Sequence, residues 1–230
     1  MILGTVPFTI TEVEHRVYHV EFETQRDLAH TMMRLQEYYE GVDDNIRGQY
    51  FTLEEFYHHF TNEDGHFEYT KIWSGFNVPG HIVTEWFDLF SNRDRLTVKE
   101  RQLFVELLQR VSDTSKRWYL IATASTSTKH ADVVKHEVAH ARYYLSSEYR
   151  NECDRLVEEI DATEREAMRG NLMQMGYTTH VIKDEIQAYL STSKKPELRL
   201  FFGKLSPATM LLVEKFRTHF KLKKIIYEAD

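Results

Sequence analysis

The sequence predicts an α+β protein in which an N-terminal section of mixed helices and strands precedes a mostly helical section. Alternating apolar and polar residues predict strands in the first half of the chain. Apolar residues at helical spacing, several of them behind capping boxes, predict helices in both halves, and helical patterns dominate after residue 124. The boundary is placed between residues 1–115 and 116–230, which could also form one continuous domain.

The first section combines short strands with capped helices. Its predicted elements are a strand at residues 16–22, a helix from Thr24 to Tyr39 that Gly41 ends, a short helix opened at Thr52, a strand at residues 66–73 and a hairpin and turn at residues 73–80. Thr24 and Thr52 each precede an acidic residue three positions later, a pairing that caps the first turn of a helix.

The second half is built mainly from helical patterns. Its predicted elements are a helix between Asp94 and Val111 with a capping box at Thr97, a buried strand at residues 118–124, helices at residues 131–149 and 151–169, a helix at residues 180–192 and a last helix at residues 207–225. Gly170, Gly176 and Pro196 are interpreted as breaks between these helices.

The composition excludes several classes of protein. The chain of 230 residues is long enough for one well-buried core. No window approaches the roughly 18 consecutive apolar residues of a membrane span, so no membrane association is predicted. The formal net charge of -7 argues against a general nucleic-acid binder. The basic stretch at residues 215–224 is interpreted as a solvated final helix rather than a site for an anionic partner.

Cysteine usage and the N-terminus both predict a cytoplasmic protein. Cys153 is the single cysteine, so an internal disulfide is impossible, and its sequence neighbours do not favour a role as nucleophile. Residues 1–15 have neither the basic nor the long apolar region of a signal peptide.

The most informative motif is HEVAH at residues 136–140. Residues one helical turn apart project from the same face, so His136 and His140 can both direct a ring nitrogen at one metal ion. Glu137 lies beside the first ligand and could accept a proton from a water molecule at the open side of the ion. Because the bare pattern also arises by chance, two structural histidines are the alternative. The apolar helix face and the strand before it favour the metal site.

A catalytic zinc site normally has three protein ligands and one open position. The sequence offers several candidates for the third ligand: His130, His180, Glu152, Asp154, Asp184 and Glu185. Glu185 is preferred because it shares a helix face with Ala188, whose small side chain would let a second helix approach closely. The alternative is that Glu185 is a polar residue at the rim of a buried helix.

These motifs resemble those of the gluzincin zinc metallopeptidases, in which a glutamate on a separate downstream helix is the third ligand. Gly176-Tyr177 and the segment from Glu185 to Leu190 also resemble a little-characterised group of bacterial proteins with a Gly-Tyr and a glutamate segment ending in Gln-Ala-Tyr-Leu. The resemblance covers residues 118–192. It implies Zn²⁺ held by His136, His140 and Glu185, with Glu137 as general base. The Gly-x-x-His continuation of metzincins and the Asn-Glu-x-x-Ser-Asp form of the best-known gluzincins are both missing.

The predicted function is therefore hydrolysis of peptide bonds in a peptide or protein substrate. Tyr189 and Tyr144, each one turn beyond a predicted ligand, are candidates for stabilising the oxyanion, although packing is the commoner role of such tyrosines. Asp184 or another carboxylate could orient a ligand imidazole. Two rival hypotheses stay open: a metal-dependent enzyme of another kind, using zinc or iron, and a non-catalytic binding protein with a degenerate site. The sequence does not indicate the substrate or the oligomeric state.

Overall fold

The computed structural model describes residues 7–71, 73–92 and 95–224, and over them the chain has the predicted α+β fold. It divides into two compact units, residues 1–134 and 135–230. The strand at residues 119–124 belongs to the first unit because strands of that unit flank it on both sides. The helix predicted between Asp94 and Val111 begins, and the helix predicted at residues 207–225 ends, at a residue outside the described ranges. Residues 1–6 of the N-terminal segment also lie outside them.

The first unit contains a four-stranded mixed sheet in the order β1-β2-β4-β3. Its strands are β1 (Phe8–Glu14), β2 (Val17–Phe22), β3 (Gly75–Pro79) and β4 (Tyr119–Ala124). β2 and β4 are parallel neighbours, and β1 and β3 pair with them in antiparallel fashion at the two edges. The strands predicted at residues 16–22 and 118–124 are confirmed, whereas β1 was not predicted.

Side chains alternate between the two faces of this sheet. Val20 and Phe22 of β2 enter the hydrophobic core together with Ala122 of β4. His19 and Thr123 therefore point from the opposite face, where both are buried.

Four α-helices accompany the sheet in the described part of this unit: α1 (Gln25–Glu40), α2 (Leu53–Phe60), α3 (Gly80–Ser91) and α4 (Val98–Arg110). α1 lies against the strands and packs beside α3 and α4. The Thr24, Thr52 and Thr97 side chains cap α1, α2 and α4 as predicted, each accepting a hydrogen bond from the backbone three residues later. α3 was not predicted.

The strand predicted at residues 66–73 is wrong. In its described residues, Phe67 forms one isolated bridge with Thr61, and Tyr69–Lys71 form a 3-10 turn. The Phe67 and Tyr69 rings instead pack against Phe56 of α2, with centroid distances of 6.2 and 5.2 Å. The alternating pattern therefore reflects burial against a helix and not strand pairing. The hairpin predicted at residues 73–80 is also wrong: these residues contain the single strand β3, which pairs with β4, and Phe76 lies in the core as expected for its aromatic residues.

A buried ion pair joins α1 to α4. Arg34 Nε donates to Glu100 Oε1 at 2.8 Å, a second guanidinium nitrogen donates to the other carboxylate oxygen, and both side chains are fully buried. The guanidinium also lies 5.0 Å from the centroid of Phe90. Such a pair is sensitive to the loss of one partner, because the remaining charge stays buried without compensation.

Replacing Arg34 with Leu is expected to lower the free energy of unfolding of the first unit by about 3–5 kcal/mol. Urea denaturation followed by tryptophan fluorescence measures this unit selectively, since all 3 tryptophans lie within residues 1–134. Lys71→Met, which breaks the exposed pair with Glu68, is the matched control and should leave the curve unchanged. Equal curves for the two variants would show that the buried pair does not stabilise the fold.

In its described residues, the second unit consists of helices joined by short turns and loops. The chain enters it through α5 (His130–Leu145), followed by α6 (Ser147–Glu158), α7 (Ala162–Gln174), α8 (Ile182–Thr192), α9 (Lys195–Phe202) and α10 (Pro207–Leu222). α8 packs against α6, α7 and α10, and its Ile186 and Leu190 are part of the unit's hydrophobic core. The helices predicted at residues 180–192 and 207–225 correspond to α8 and α10.

Four predicted helix boundaries in this unit are wrong. The helix predicted at residues 151–169 is two helices, because α6 ends at Glu158 and Asp161 caps α7. Ser146 ends α5 and caps α6 by accepting a hydrogen bond from the Tyr149 backbone, so the helix predicted at residues 131–149 is two helices. Gly170 lies inside α7 and does not break it. Pro196 lies in the first turn of α9, where its missing N–H costs no helical hydrogen bond. Gly176, with φ of 99°, does end a helical segment.

Cys153 is fully buried in the core of the second unit. Burial raises the pKa of its thiol to about 12. The thiolate fraction near pH 8 should therefore be about 10³-fold lower than for an ordinary cysteine. We expect the native chain to resist alkylation by iodoacetamide and the urea-unfolded chain to react at the ordinary rate. Mass spectrometry measures the extent of alkylation. Rapid labelling of Cys153 in the native chain would contradict its burial.

None of the helices within the described residues combines the length and the apolar character needed to cross a bilayer.

Candidate metal centre

Helix α5 presents both histidines of the HEVAH motif to the same point. His136 and His140 lie one turn apart, and their Nε2 atoms are 3.2 Å from each other. His140 is almost completely buried, and His136 is partly exposed. The rings thus offer two nitrogen ligands side by side, as the spacing predicts.

Glu185 of α8 brings a carboxylate to these two nitrogens. Its Oε1 lies 3.6 Å from His140 Nε2, and its Oε2 lies 3.6 Å from His136 Nε2. Zinc bonds of about 2.1 Å at tetrahedral angles separate ligand atoms by about 3.4 Å. Each histidine nitrogen is thus near this separation from one of the two carboxylate oxygens, and one ligand atom from each residue lies within 4.8 Å of the others.

One oxygen of this carboxylate, Glu185 Oε2, is buried without a hydrogen bond from the described residues and faces His136 Nε2 at 3.6 Å. A buried carboxylate oxygen without a donor or a cation is costly, and native structures contain few of them. The residues therefore fit a cation bound between Glu185 and the two histidines.

The charges of the site favour the same conclusion. Although burial alone would lower the pKa of His140, the carboxylates of Asp184 and Glu185 raise it well above its ordinary value. Burial likewise opposes ionisation of Glu185, but the charge of His140 lowers the pKa of this carboxyl. The carboxylates around His140 therefore stabilise positive charge at this place. A divalent cation that displaces the protons of the ligand side chains would supply that charge.

A chain of hydrogen bonds fixes the orientation of the His140 ring. Its Nδ1 lies 2.9 Å from Asp184 Oδ1, so Nε2 faces the site. Gln187 Nε2 donates to the same Asp184 oxygen at 2.8 Å, and Tyr149 donates to Gln187 Oε1 at 3.1 Å. A carboxylate bound to the far nitrogen of a ligand histidine fixes its tautomer and raises its basicity. Asp184 is therefore in contact with the His140 ring, as expected of the orienting carboxylate that the sequence suggested as Asp184 or another residue.

Glu137 is buried at the same place on α5. Its charge contributes to the raised pKa of His140 and to those of Tyr177 and Tyr189. A carboxylate that influences all three groups lies within the electrostatic range of the candidate metal centre. Its role as general base stays a prediction.

Two tyrosines complete the group. The hydroxyls of Tyr177 and Tyr189 are 3.0 Å apart, and the Tyr189 ring lies 4.6 Å from the His136 ring. Burial, followed by the charge of Glu185, raises the pKa of both hydroxyls, so each keeps its proton at neutral pH. Tyr144 is half-buried and stays a prediction. The sequence signalled Tyr177 only through its Gly-Tyr resemblance, because helical spacing does not reach across the turn at Gly176.

Four other candidates for the third ligand make contacts elsewhere. Glu152 pairs with Arg155 at 2.7 Å, and Asp154 accepts a hydrogen bond from Tyr143 at 2.6 Å. His180 is exposed and contacts Thr178, while His130 contacts Glu21 in the first unit. Glu185 is therefore the candidate that lies with the two histidines.

Replacing Asp184 with Asn is expected to weaken zinc binding by about 10- to 100-fold, because the amide no longer holds the His140 ring with a negative charge. Competition with a zinc-binding dye measures the affinity. Asp154→Asn is the matched control, since this carboxylate accepts a hydrogen bond from Tyr143 instead. Equal affinities in the two variants would show that Asp184 does not support the ligand.

Comparison with known proteins identifies no relative: no family model, no curated protein and no solved structure matches the chain.

Proposed function

We propose that the chain is a zinc-dependent peptidase of the gluzincin type, acting on peptides or proteins in the cytoplasm. The observation that supports it most is the meeting of two histidine Nε2 atoms with the Glu185 carboxylate, one oxygen of which is buried without a donor. The cytoplasmic assignment rests on the free, buried thiol of Cys153, which suits a reducing compartment.

His136, His140 and Glu185 would hold the ion, and three protein ligands leave one position open for water or substrate. When bound, zinc supplies Lewis-acid polarisation of the scissile carbonyl and lowers the pKa of a coordinated water molecule toward about 7. Asp184 keeps the His140 ring in the tautomer whose Nε2 lone pair faces the ion.

Glu137 carries the proton transfers in this proposal. Its carboxylate would accept the proton of the attacking water and pass it to the nitrogen of the leaving amine, after which the base is regenerated. The residue is buried, so its charge is poorly screened by solvent and acts strongly on neighbouring groups.

Tyr177 and Tyr189 suit stabilisation of the oxyanion. Both hydroxyls keep their protons at neutral pH and contact each other at 3.0 Å, so one can donate outward while accepting from the other. A donor aimed at the developing negative charge typically contributes about 10²- to 10³-fold to the rate. The packing of Tyr189 against His136 would hold its hydroxyl near the reacting carbonyl.

The proposal is tested by incubating the zinc-loaded full chain with unfolded casein and with a mixed peptide library in ¹⁸O-labelled water. We expect peptide cleavage, incorporation of ¹⁸O into the new carboxyl ends, loss of cleavage after chelation and recovery when zinc is restored. Mass spectrometry identifies both the label and the cleavage sites.

Two results would contradict the proposal in different ways. If the purified chain binds iron in preference to zinc, the two-histidine and one-carboxylate site is that of another metal-dependent enzyme. If zinc binds at the predicted ligands but neither casein nor any library peptide is cleaved, the peptidase function is wrong and the metal site stands.

A further inference from the structure

A second group of metal-binding side chains lies in the first unit, away from the HEVAH motif in sequence. His19 and Glu21 are two residues apart on β2, so they project from the same face of the sheet. Thr123 is the register partner of Glu21 on the neighbouring strand β4, and His130 begins α5 shortly afterwards. The two strands and the helix start bring these four side chains together.

The contacts within the group are short. His130 Nε2 lies 2.9 Å from Glu21 Oε2 and 3.0 Å from the Thr123 hydroxyl. His19 Nε2 lies 2.8 Å from the same hydroxyl. The ligand atoms of His19, Glu21 and His130 all lie within 4.8 Å of one another.

The side chains of this group can be held together either by hydrogen bonds or by one cation. A ring nitrogen has a single in-plane position, which holds either a proton or a lone pair. His130 Nε2 nevertheless has two oxygens within hydrogen-bonding distance, from Glu21 and Thr123. If it donates to the carboxylate, the Thr123 hydroxyl can still donate to His19 Nε2. A cation among the three ligands would use the lone pairs of both rings and the charge of Glu21 at once.

The chemistry of the ligands identifies the class of ion. Two imidazoles and one carboxylate form a set that suits zinc and similar divalent transition metals, whereas calcium and magnesium prefer oxygen ligands. His19 and Thr123 are buried, and the His130 and Glu21 side chains are 27% and 36% exposed, so an ion could enter from solvent.

We propose that His19, Glu21 and His130 form a second, independent site for a divalent transition metal such as Zn²⁺. Bound there, the ion would connect strand β2 to the first residue of α5 and stabilise the first unit. The site needs no peptidase activity and shares no ligand with the candidate metal centre on α5 and α8.

The test is the number of zinc ions that the full chain retains. The chelator-stripped protein is saturated with Zn²⁺, passed over a desalting column and analysed by mass spectrometry of the metal. We expect about two ions per chain, about one in His130→Ala, about one in His140→Ala, and none in the double variant. His66→Ala, which replaces an exposed histidine outside both groups, is the matched control and should retain both ions.

Glu21→Gln provides a second variant that keeps the size of the side chain and removes its charge. It should also lower the count to about one while tryptophan fluorescence confirms a folded first unit. The second site is refuted if the unmodified chain binds about one ion and only His140→Ala removes it. It is equally refuted if His130→Ala and Glu21→Gln both retain about two ions. If His140→Ala retains about one ion and the unmodified zinc-loaded chain cleaves no peptide, the second site is supported and the proposed function is contradicted.

Discussion

Replacing Glu137 with Gln is expected to slow peptide hydrolysis by about 10²- to 10⁴-fold while zinc stays bound. The amide has nearly the size of the carboxylate but cannot accept the proton of the attacking water. Because Glu137 is not one of the three ligand residues, the metal content should not change. The comparison of kcat with zinc content therefore separates the general base from the ligands.

Glu152→Gln is the matched control for this experiment, since it makes the same chemical change on α6, where Glu152 pairs with Arg155. Its kcat should equal that of the unmodified chain. Undiminished hydrolysis by the Glu137 variant would refute the role of Glu137 as base. Loss of zinc together with loss of activity would instead show that Glu137 supports the metal.

Replacing Glu185 with Gln is expected to weaken zinc binding more strongly than Asp184→Asn does. For Asp184→Asn, which changes a residue that contacts a ligand and not a ligand itself, the expected loss is about 10- to 100-fold. An amide oxygen is a much poorer zinc ligand than a carboxylate, and the buried charge that favours the cation is lost. The same competition with a zinc-binding dye measures the two affinities, and peptide hydrolysis should fall with zinc occupancy.

The order of the two effects is the informative result. If Glu185→Gln binds zinc more tightly than Asp184→Asn, then Glu185 is not the third ligand. Adding zinc to saturation distinguishes the variants further: Asp184→Asn should recover much of its activity, because its three ligands are intact. Recovery to the same extent in Glu185→Gln would contradict its place at the ion.

The proximity of the two candidate histidine ligands was predictable from a local rule, because helical spacing alone places His136 and His140 on one face. Glu185 was chosen for the small residue on its helix face and for the gluzincin resemblance. The proximity of Asp184 to His140 Nδ1 depends on how α8 lies beside α5, which no local pattern specifies. The same holds for the Tyr177 hydroxyl.

The fold predictions also succeeded where they depended on local interactions and failed where they depended on the surrounding structure. Capping residues such as Thr52 and Thr97 predicted helix starts correctly, because their hydrogen bonds involve only the next few residues. The strand prediction at residues 66–73 failed because the alternation of apolar and polar residues indicates burial of every second side chain. Packing against a helix can bury alternate side chains as well as packing in a sheet can. Pro196 misled because proline both ends helices and favours their first turn.

The second group of ligands was missed for a similar reason. His130 was considered only as a possible ligand of the HEVAH site, to which it is close in sequence. Its neighbours His19 and Glu21 lie more than 100 residues earlier in the sequence; His19 is already 104 residues from Thr123, which precedes His130. Only the parallel pairing of β2 with β4 brings them together.

The central claim is that His136, His140 and Glu185 bind one zinc ion. A crystal structure of the zinc-loaded protein tests it most directly. We predict a zinc ion about 2.0–2.1 Å from both Nε2 atoms and about 2.0–2.2 Å from a Glu185 carboxylate oxygen. A zinc-loaded structure in which Glu185 points away from the ion, or in which the two histidines hold no ion, would contradict the account.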